Sequence, residues 1–270
     1  MSSAKQLVKR ASAMVDRVVP PKPGITVLIY HRVGGGSDSA VDLPADVFEA
    51  QLEHLVSNHR VLSLGDAVDE LAAPAGTTIE PAVVLTFDDG TADFTDVTVP
   101  LLARYGVPAT LYAATSFIDD GRPFPWGAPP TSWSALRDAC TTGLVTVGSH
   151  THTHRLLDRL PTPEVIDDLD RSIDLIGASL GAVPEHFAYP KAVPPSPAAE
   201  IEVRRRFRSA TLAGGRVNRP GAVDLFRIGR TPIQTSDSLE QFAAKAAGGF
   251  RLEGALRAGL ASARYRQAAT

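Results

Sequence analysis

Residues 82–90 read A-V-V-L-T-F-D-D-G, an apolar run that ends in two adjacent carboxylates, Asp88 and Asp89, and a glycine. Neighbouring acids repel, so a buried pair is tolerated chiefly when a cation neutralises one of them or one keeps its proton. Donors for a shared cation occur at residues 145–154, V-T-V-G-S-H-T-H-T-H, where a second apolar run ends in three histidines. One helical turn would put His150 and His154 on a common face, whereas an extended chain would align His150, His152 and His154. Two imidazoles and one carboxylate with an open position make the ligand set of a catalytic zinc-type centre, and imidazole donors disfavour magnesium. A third run, I-T-V-L-I-Y at 25–30, ends in His31, which stands to its strand as Asp88 stands to its own.

These runs are apolar, rich in β-branched residues and closed by turn signals, the pattern of strands buried on both faces of a parallel sheet. In such folds the groups that do chemistry gather at the carboxyl ends of the strands. Further strands are predicted at 109–114, at 186–190 and at 225–229, the last with Arg227 and Arg230 near its end. Helices are predicted at 48–55, at 94–105 with a bend at Pro100, and at 163–180. In the last of these Thr162 is read as the cap and Gly181 as the stop. Val165, Leu169, Ile173, Ile176 and Leu180 form its apolar stripe, and Asp167, Asp168, Asp170 and Asp174 are read as a solvated face. Residues 117–131 read as a long Pro/Gly loop carrying Trp126, whose ring would either stack on a sugar or pack.

The 270 residues, 44% hydrophobic and 21% charged, suit one globular α/β domain. A formal net charge of -3 lacks the basic excess of a phosphate-binding surface, so no nucleic acid partner is expected. The single cysteine, Cys140, excludes an intrachain disulfide. There is no apolar run of about 18 residues, and the basic N-terminus lacks a signal peptide's apolar core. A cytoplasmic location is therefore expected, with peripheral contact at the inner membrane face as an option. That option rests on residues 4–19, where Leu7, Ala11, Met14, Val15 and Val18 recur at helical spacing among Lys5, Lys9, Arg10 and Arg17. A helix packed on the domain is the preferred reading of the same pattern. The chain is accordingly divided into an N-terminal helix, 1–22, and one domain, 23–270.

T-F-D-D-G followed by S-H-T-H-T-H resembles the polysaccharide deacetylases of the NodB-homology group, carbohydrate esterase family four. The Tyr30-His31 pair is similar to the start of that family's exopolysaccharide branch. The resemblance runs from about residue 25 to about residue 230. It implies an α/β fold, an irregular (β/α) barrel of about seven parallel strands, with 23–270 as the catalytic domain. It also implies metal-dependent hydrolysis of the N-acetyl group of an amino sugar in a glycan or glycan precursor. Asp88 would be the base, Asp89, His150 and His154 would hold one divalent metal ion, and His31 would be the general acid. Zinc is the expected metal, with cobalt, manganese, iron or nickel as substitutes. The third motif, F-A-Y-P-K-A, implies that Tyr189 offers a backbone oxyanion donor and that Pro190 helps wall the substrate site.

Two departures from the family pattern stand out. The third motif lacks the arginine that orients the base, for which Arg230 and Arg227 are the replacements and Lys191 a weaker one; and no histidine follows His186 to supply a C-terminal acid. Alternatives kept open are a deformylase or cyclic-amide hydrolase on the same scaffold, a lipid-linked substrate, and a non-catalytic carbohydrate-binding relative.

Overall fold

The computed structural model describes residues 3–250, 252–254 and 256. Its strands, in chain order, are β1 (Ile25–Tyr30), β2 (Arg32–Val33), β3 (Asp42–Leu43), β4 (Arg60–Val61), β5 (Ala82–Asp89), β6 (Ala109–Ala113), β7 (Val145–Ser149), β8 (His186–Ala188), β9 (Ser209–Ala213) and β10 (Ile228–Pro232). The helices are α1 (Ser3–Val18), α2 (Ala45–Asn58), α3 (Leu64–Leu71), α4 (Val99–Tyr105), α5 (Thr115–Asp120), α6 (Trp133–Thr141), α7 (Thr162–Leu180), α8 (Pro197–Arg206) and α9 (Leu239–Ala246).

β1, β5, β6, β7, β8, β9 and β10 run parallel and close into a seven-stranded barrel, because β1 pairs with both β5 and β10. The short β4 adds beside the start of β5, and β2 pairs with β3 in a separate ribbon. The strands read as buried runs are buried: every residue of β1 and β5 is covered. Alternation then sorts their side chains. Tyr30 and Phe87 stack at 5.1 Å and meet Phe48 of α2 outside the barrel. Thr86 and Asp88, on the other face of β5, therefore point into the lumen. Gly148 is a glycine of necessity: a Cβ there would come within 2.7 Å of both the Tyr112 ring and the His186 carbonyl.

Register sets the height of the functional groups. Tyr30 lies opposite Phe87, so His31 and Asp88 follow one step later on adjacent strands. Asp89 and Ser149 both lie opposite Ala113, so His150 leaves β7 at the level where β5 ends.

The helix predicted at 94–105 is continuous: a five-residue π-helix, Phe94–Thr98, runs into α4 through right-handed Thr98 and Val99, and Pro100 stands just beyond that irregular segment. Other local expectations are corrected. α7 begins at Thr162 itself, behind Pro161, with no side-chain cap, although Gly181 does close it in a left-handed conformation (φ 74°). The last strand is β10, 228–232, rather than 225–229, which puts Arg230 at its middle. The start of the expected 117–131 loop is the second half of α5.

The N-terminal helix packs on the domain, but with its polar side. Lys9 is buried, ion-paired to Asp237 at 2.7 Å and donating to the Ser236 carbonyl and Gln241. Met14, Val15 and Val18 are exposed instead. The side chain of Leu7 lies outside the described residues. Among the described residues no helix is long and apolar enough to cross a membrane.

Candidate active site

The carboxyl ends of β1, β5 and β7 bring His31, Asp88, Asp89 and His150 to one mouth of the barrel, and His154 returns to it from the loop after β7. His154 Nε2 lies 3.3 Å and His150 Nε2 3.8 Å from Asp89 Oδ1, and one ligand atom from each of the three residues falls within 4.8 Å of the others. These contacts are not ion pairs between charged groups. Burial pushes the pKa of His150 down despite the two aspartates, and that of His154 well down, helped by His150 and Lys191. Both rings are thus neutral near pH 7. His150 Nδ1 is 2.7 Å from the Ala188 carbonyl, which only an Nδ1–H can satisfy, so Nε2 turns a lone pair toward Asp89. A neutral imidazole lone pair aimed at a carboxylate oxygen repels it unless a cation lies between them. The three donors therefore fit a divalent metal of the zinc type.

The two histidines meet neither on a helical turn nor on an extended strand. Residues 150–154 form an irregular turn in which Thr151 (φ 67°) and His154 (φ 59°) are left-handed, while His152 swings aside so that its Nδ1 lies 3.0 Å from Thr115 Oγ1. Asp89 is left-handed as well (φ 76°), followed by Gly90 (φ 98°). Each such non-glycine residue costs about 1–3 kcal/mol, and clustering of that strain is typical of sites that prescribe geometry.

Asp88 is paired differently from its neighbour. Arg230, fully buried in the lumen, holds it with two parallel hydrogen bonds of 2.6 and 2.8 Å and also donates to Thr86 Oγ1 at 3.1 Å. Burial alone would raise the Asp88 pKa, but Arg230, with help from His150 and His31, holds it far below the usual carboxylate range. Asp88 Oδ2 is 3.9 Å from His150 Nε2, so a permanently ionised carboxylate borders the ligand cluster. Of the other replacements considered for the missing arginine, Arg227 pairs with Glu200, and Lys191 lies at the rim with its Nζ 5.1 Å from the Trp126 ring centroid.

His31 is partly buried and, among the described residues, its buried Nδ1 has no hydrogen-bond partner. Trp126 is 44% exposed. One of its faces stacks on Phe124 at 5.0 Å, and its ring centroid is 6.5 Å from that of His154. Trp126 thus packs on Phe124 and still presents surface at the mouth. Pro190 is buried where the third motif turns, and Lys191 (φ 56°) and Ala192 (φ 52°) follow it in left-handed conformations. Tyr189 requires a correction. Its N–H donates to the Thr211 carbonyl at 3.2 Å, and this bond to the neighbouring strand leaves no proton for an oxyanion. Its phenol is buried too.

Residues 75–204 match the family model described as polysaccharide deacetylase. The chain carries a polysaccharide deacetylase domain. It is 31% identical over 102 residues to YxkH of Bacillus subtilis (strain 168), provisionally named a polysaccharide deacetylase, a match covering 37% of this chain and 35% of YxkH. The chain thus spans about a third of the length of that curated relative. Among solved structures, IcaB from Ammonifex degensii superposes with a TM-score of 0.74 at 27% identity, over 84% of this chain and 98% of that one. The Streptococcus pyogenes deacetylase PplD, solved in complex with acetate, superposes at 0.73 with 21% identity, over 83% and 99%, and bears on the fold alone.

Within this deacetylase domain one residue at the site escapes the sequence reading. Asp168, assigned to a solvated face of α7, is buried and accepts hydrogen bonds from the loop that carries the two histidines. The available signal was its phase: it lies three residues after Val165 and one before Leu169, on the inward stripe.

Proposed function

We propose that this chain hydrolyses the N-acetyl amide of an amino sugar in a glycan or glycan precursor, with Asp88 as base beside a divalent metal held by Asp89, His150 and His154. The observation that carries the reading is the unequal treatment of two adjacent acids. Asp89 is turned toward two neutral imidazoles, whereas Asp88 is clamped by Arg230 and kept ionised next to them. A divalent metal bound by the three donors supplies Lewis acidity, acidifying water and drawing charge from the acyl oxygen. Asp88 accepts the proton of the attacking water. Arg230 holds the acceptor oxygens in place and returns Asp88 to its ionised form after each turnover. His31 gives a proton to the departing amine from across the mouth. The N–H of Tyr189 plays no part, and the first N–H beyond Pro190 on that wall is that of Lys191, held left-handed at the rim.

The test is acetate release from short N-acetylglucosamine oligomers. Release of formate from an N-formylated sugar, with no acetate from the acetylated one, would move the assignment to the deformylase alternative; failure with either sugar would favour the binding relative. In the same assay Trp126→Ala raises KM about 10-fold with kcat within about 2-fold, as loss of one stacked sugar face requires. An unchanged KM with a lower Tm would reduce Trp126 to a packing residue.

A further inference from the structure

The loop that carries His150 and His154 has neither helical nor strand hydrogen bonds to hold it, so its backbone must be satisfied one group at a time. The N–H of His150 reaches the Ala113 carbonyl at 2.9 Å, that of Thr151 reaches Ser149 Oγ at 3.2 Å, and that of His154 reaches Thr151 Oγ1 at 2.9 Å. The carbonyls of Thr151 and His152 accept from the first two amides of α5, Thr115 and Ser116, at 3.2 and 2.9 Å. Two donors remain, the N–H groups of His152 and Thr153, which lie in sequence between the paired imidazoles. Both go to one side chain: Asp168 Oδ2 accepts from His152 at 3.2 Å and Oδ1 from Thr153 at 3.0 Å.

Asp168 is 2% exposed. A carboxylate at such a position costs desolvation, which needs a compensating set of bonds. Ser172, one turn further along α7 and fully buried, lies 2.7 Å from Ser149 Oγ, the acceptor for Thr151 N–H. One face of α7 therefore grips both the entry to the turn and its middle. Only a carboxylate matches the two adjacent amides, since it offers two acceptor oxygens where an asparagine offers one and sets an N–H₂ against the other donor.

We infer that Asp168, seconded by Ser172, is a positioning residue for metal binding: it fixes the backbone turn that brings His150 and His154 onto Asp89, without touching metal or substrate. This rests on the metal-site reading given above. The same pattern of groups held behind ligands governs affinity in other metal sites, where its loss typically weakens binding about 10- to 100-fold.

The experiment uses the full chain stripped of metal and titrated with zinc against a chromophoric chelator, and with cobalt followed by its visible absorption. Asp168→Asn is expected to bind zinc about 10- to 100-fold more weakly than the parent, with an altered cobalt spectrum, at a temperature where both are folded. Ser172→Ala is expected to show a smaller loss in the same direction. A parent-like zinc affinity and cobalt spectrum in Asp168→Asn, even with a lowered Tm, would overturn the inference and reduce Asp168 to a scaffold residue while leaving the metal site intact. If Asp168→Asn shows no cooperative thermal transition, Ser172→Ala decides, and parent-like zinc affinity there counts against the inference. A parent chain that binds neither zinc nor cobalt would instead remove the metal-site reading, and the inference with it.

Discussion

Asp88→Asn is expected to lower kcat for acetate release by about 1,000-fold while leaving zinc stoichiometry unchanged. The substitution keeps the shape of the side chain and one acceptor for Arg230, but an amide does not take a proton from water at neutral pH. Because Asp89, His150 and His154 contain the whole proposed donor set, removing the neighbouring charge tests the base without dismantling the metal site. The buried guanidinium loses its counter-charge in the same step, so Tm falls as well. A variant that retains activity within about 10-fold of the parent would require another base, and a variant that loses its zinc would make Asp88 a ligand.

Arg230→Met carries the second large effect, and its sign depends on pH. In the parent, burial raises and Arg230 lowers the Asp88 pKa, with the net result far below the carboxylate range. A depressed folded pKa contributes stability that is present above the unfolded value of about 3.9 and is lost as pH falls through the folded value. Methionine removes the lowering group and leaves the burial. Asp88 then titrates above the unfolded value, and the linkage reverses. Between about 3.9 and the raised pKa the unfolded chain binds fewer protons than the folded one, so stability falls as pH rises through that window. Urea midpoints of the metal-free chains at pH 5 and pH 8 measure this. The variant is expected to be less stable overall by about 3–5 kcal/mol, and its deficit relative to the parent is larger at pH 8 than at pH 5, a comparison in which the shared titration of the buried histidines cancels. Its activity loss deepens as pH is lowered, because the base is then protonated. A parent–variant difference that is the same at the two pH values would mean that Asp88 does not depend on Arg230.

The groups at the strand ends were legible in the sequence because a parallel strand ties burial to position. A fully apolar run that stops at Asp88, at His31 or before His150 announces both the strand and the mouth it opens on. Arg230 was legible only by elimination. A basic residue in the middle of β10 breaks the apolar pattern, and this drew the predicted strand to a neighbouring stretch. Three features could not be read from spacing. The turn at 150–154 depends on left-handed Thr151 and His154, a conformation uncommon outside glycine and an outlier for the β-branched Thr151. The engagement of the Tyr189 N–H follows from strand pairing with Thr211, about twenty residues on. Asp168 looked like one of several acids on a polar helix face, and only its phase against Val165 and Leu169 set it apart. The N-terminal helix is a similar case: its apolar stripe suggested the packed face, yet Lys9 and Ser12 are the residues turned inward, tied to Asp237 and to the backbone of Glu253.

The central claim is that Asp89, His150 and His154 hold one divalent metal on which amide hydrolysis depends. The most direct measurement is metal content of the purified chain, paired with acetate release before chelation, after it, and after zinc or cobalt is restored. One equivalent of bound metal, with acetate release that chelation abolishes and metal restores, is the predicted result. Acetate release that survives complete removal of metal would contradict the claim.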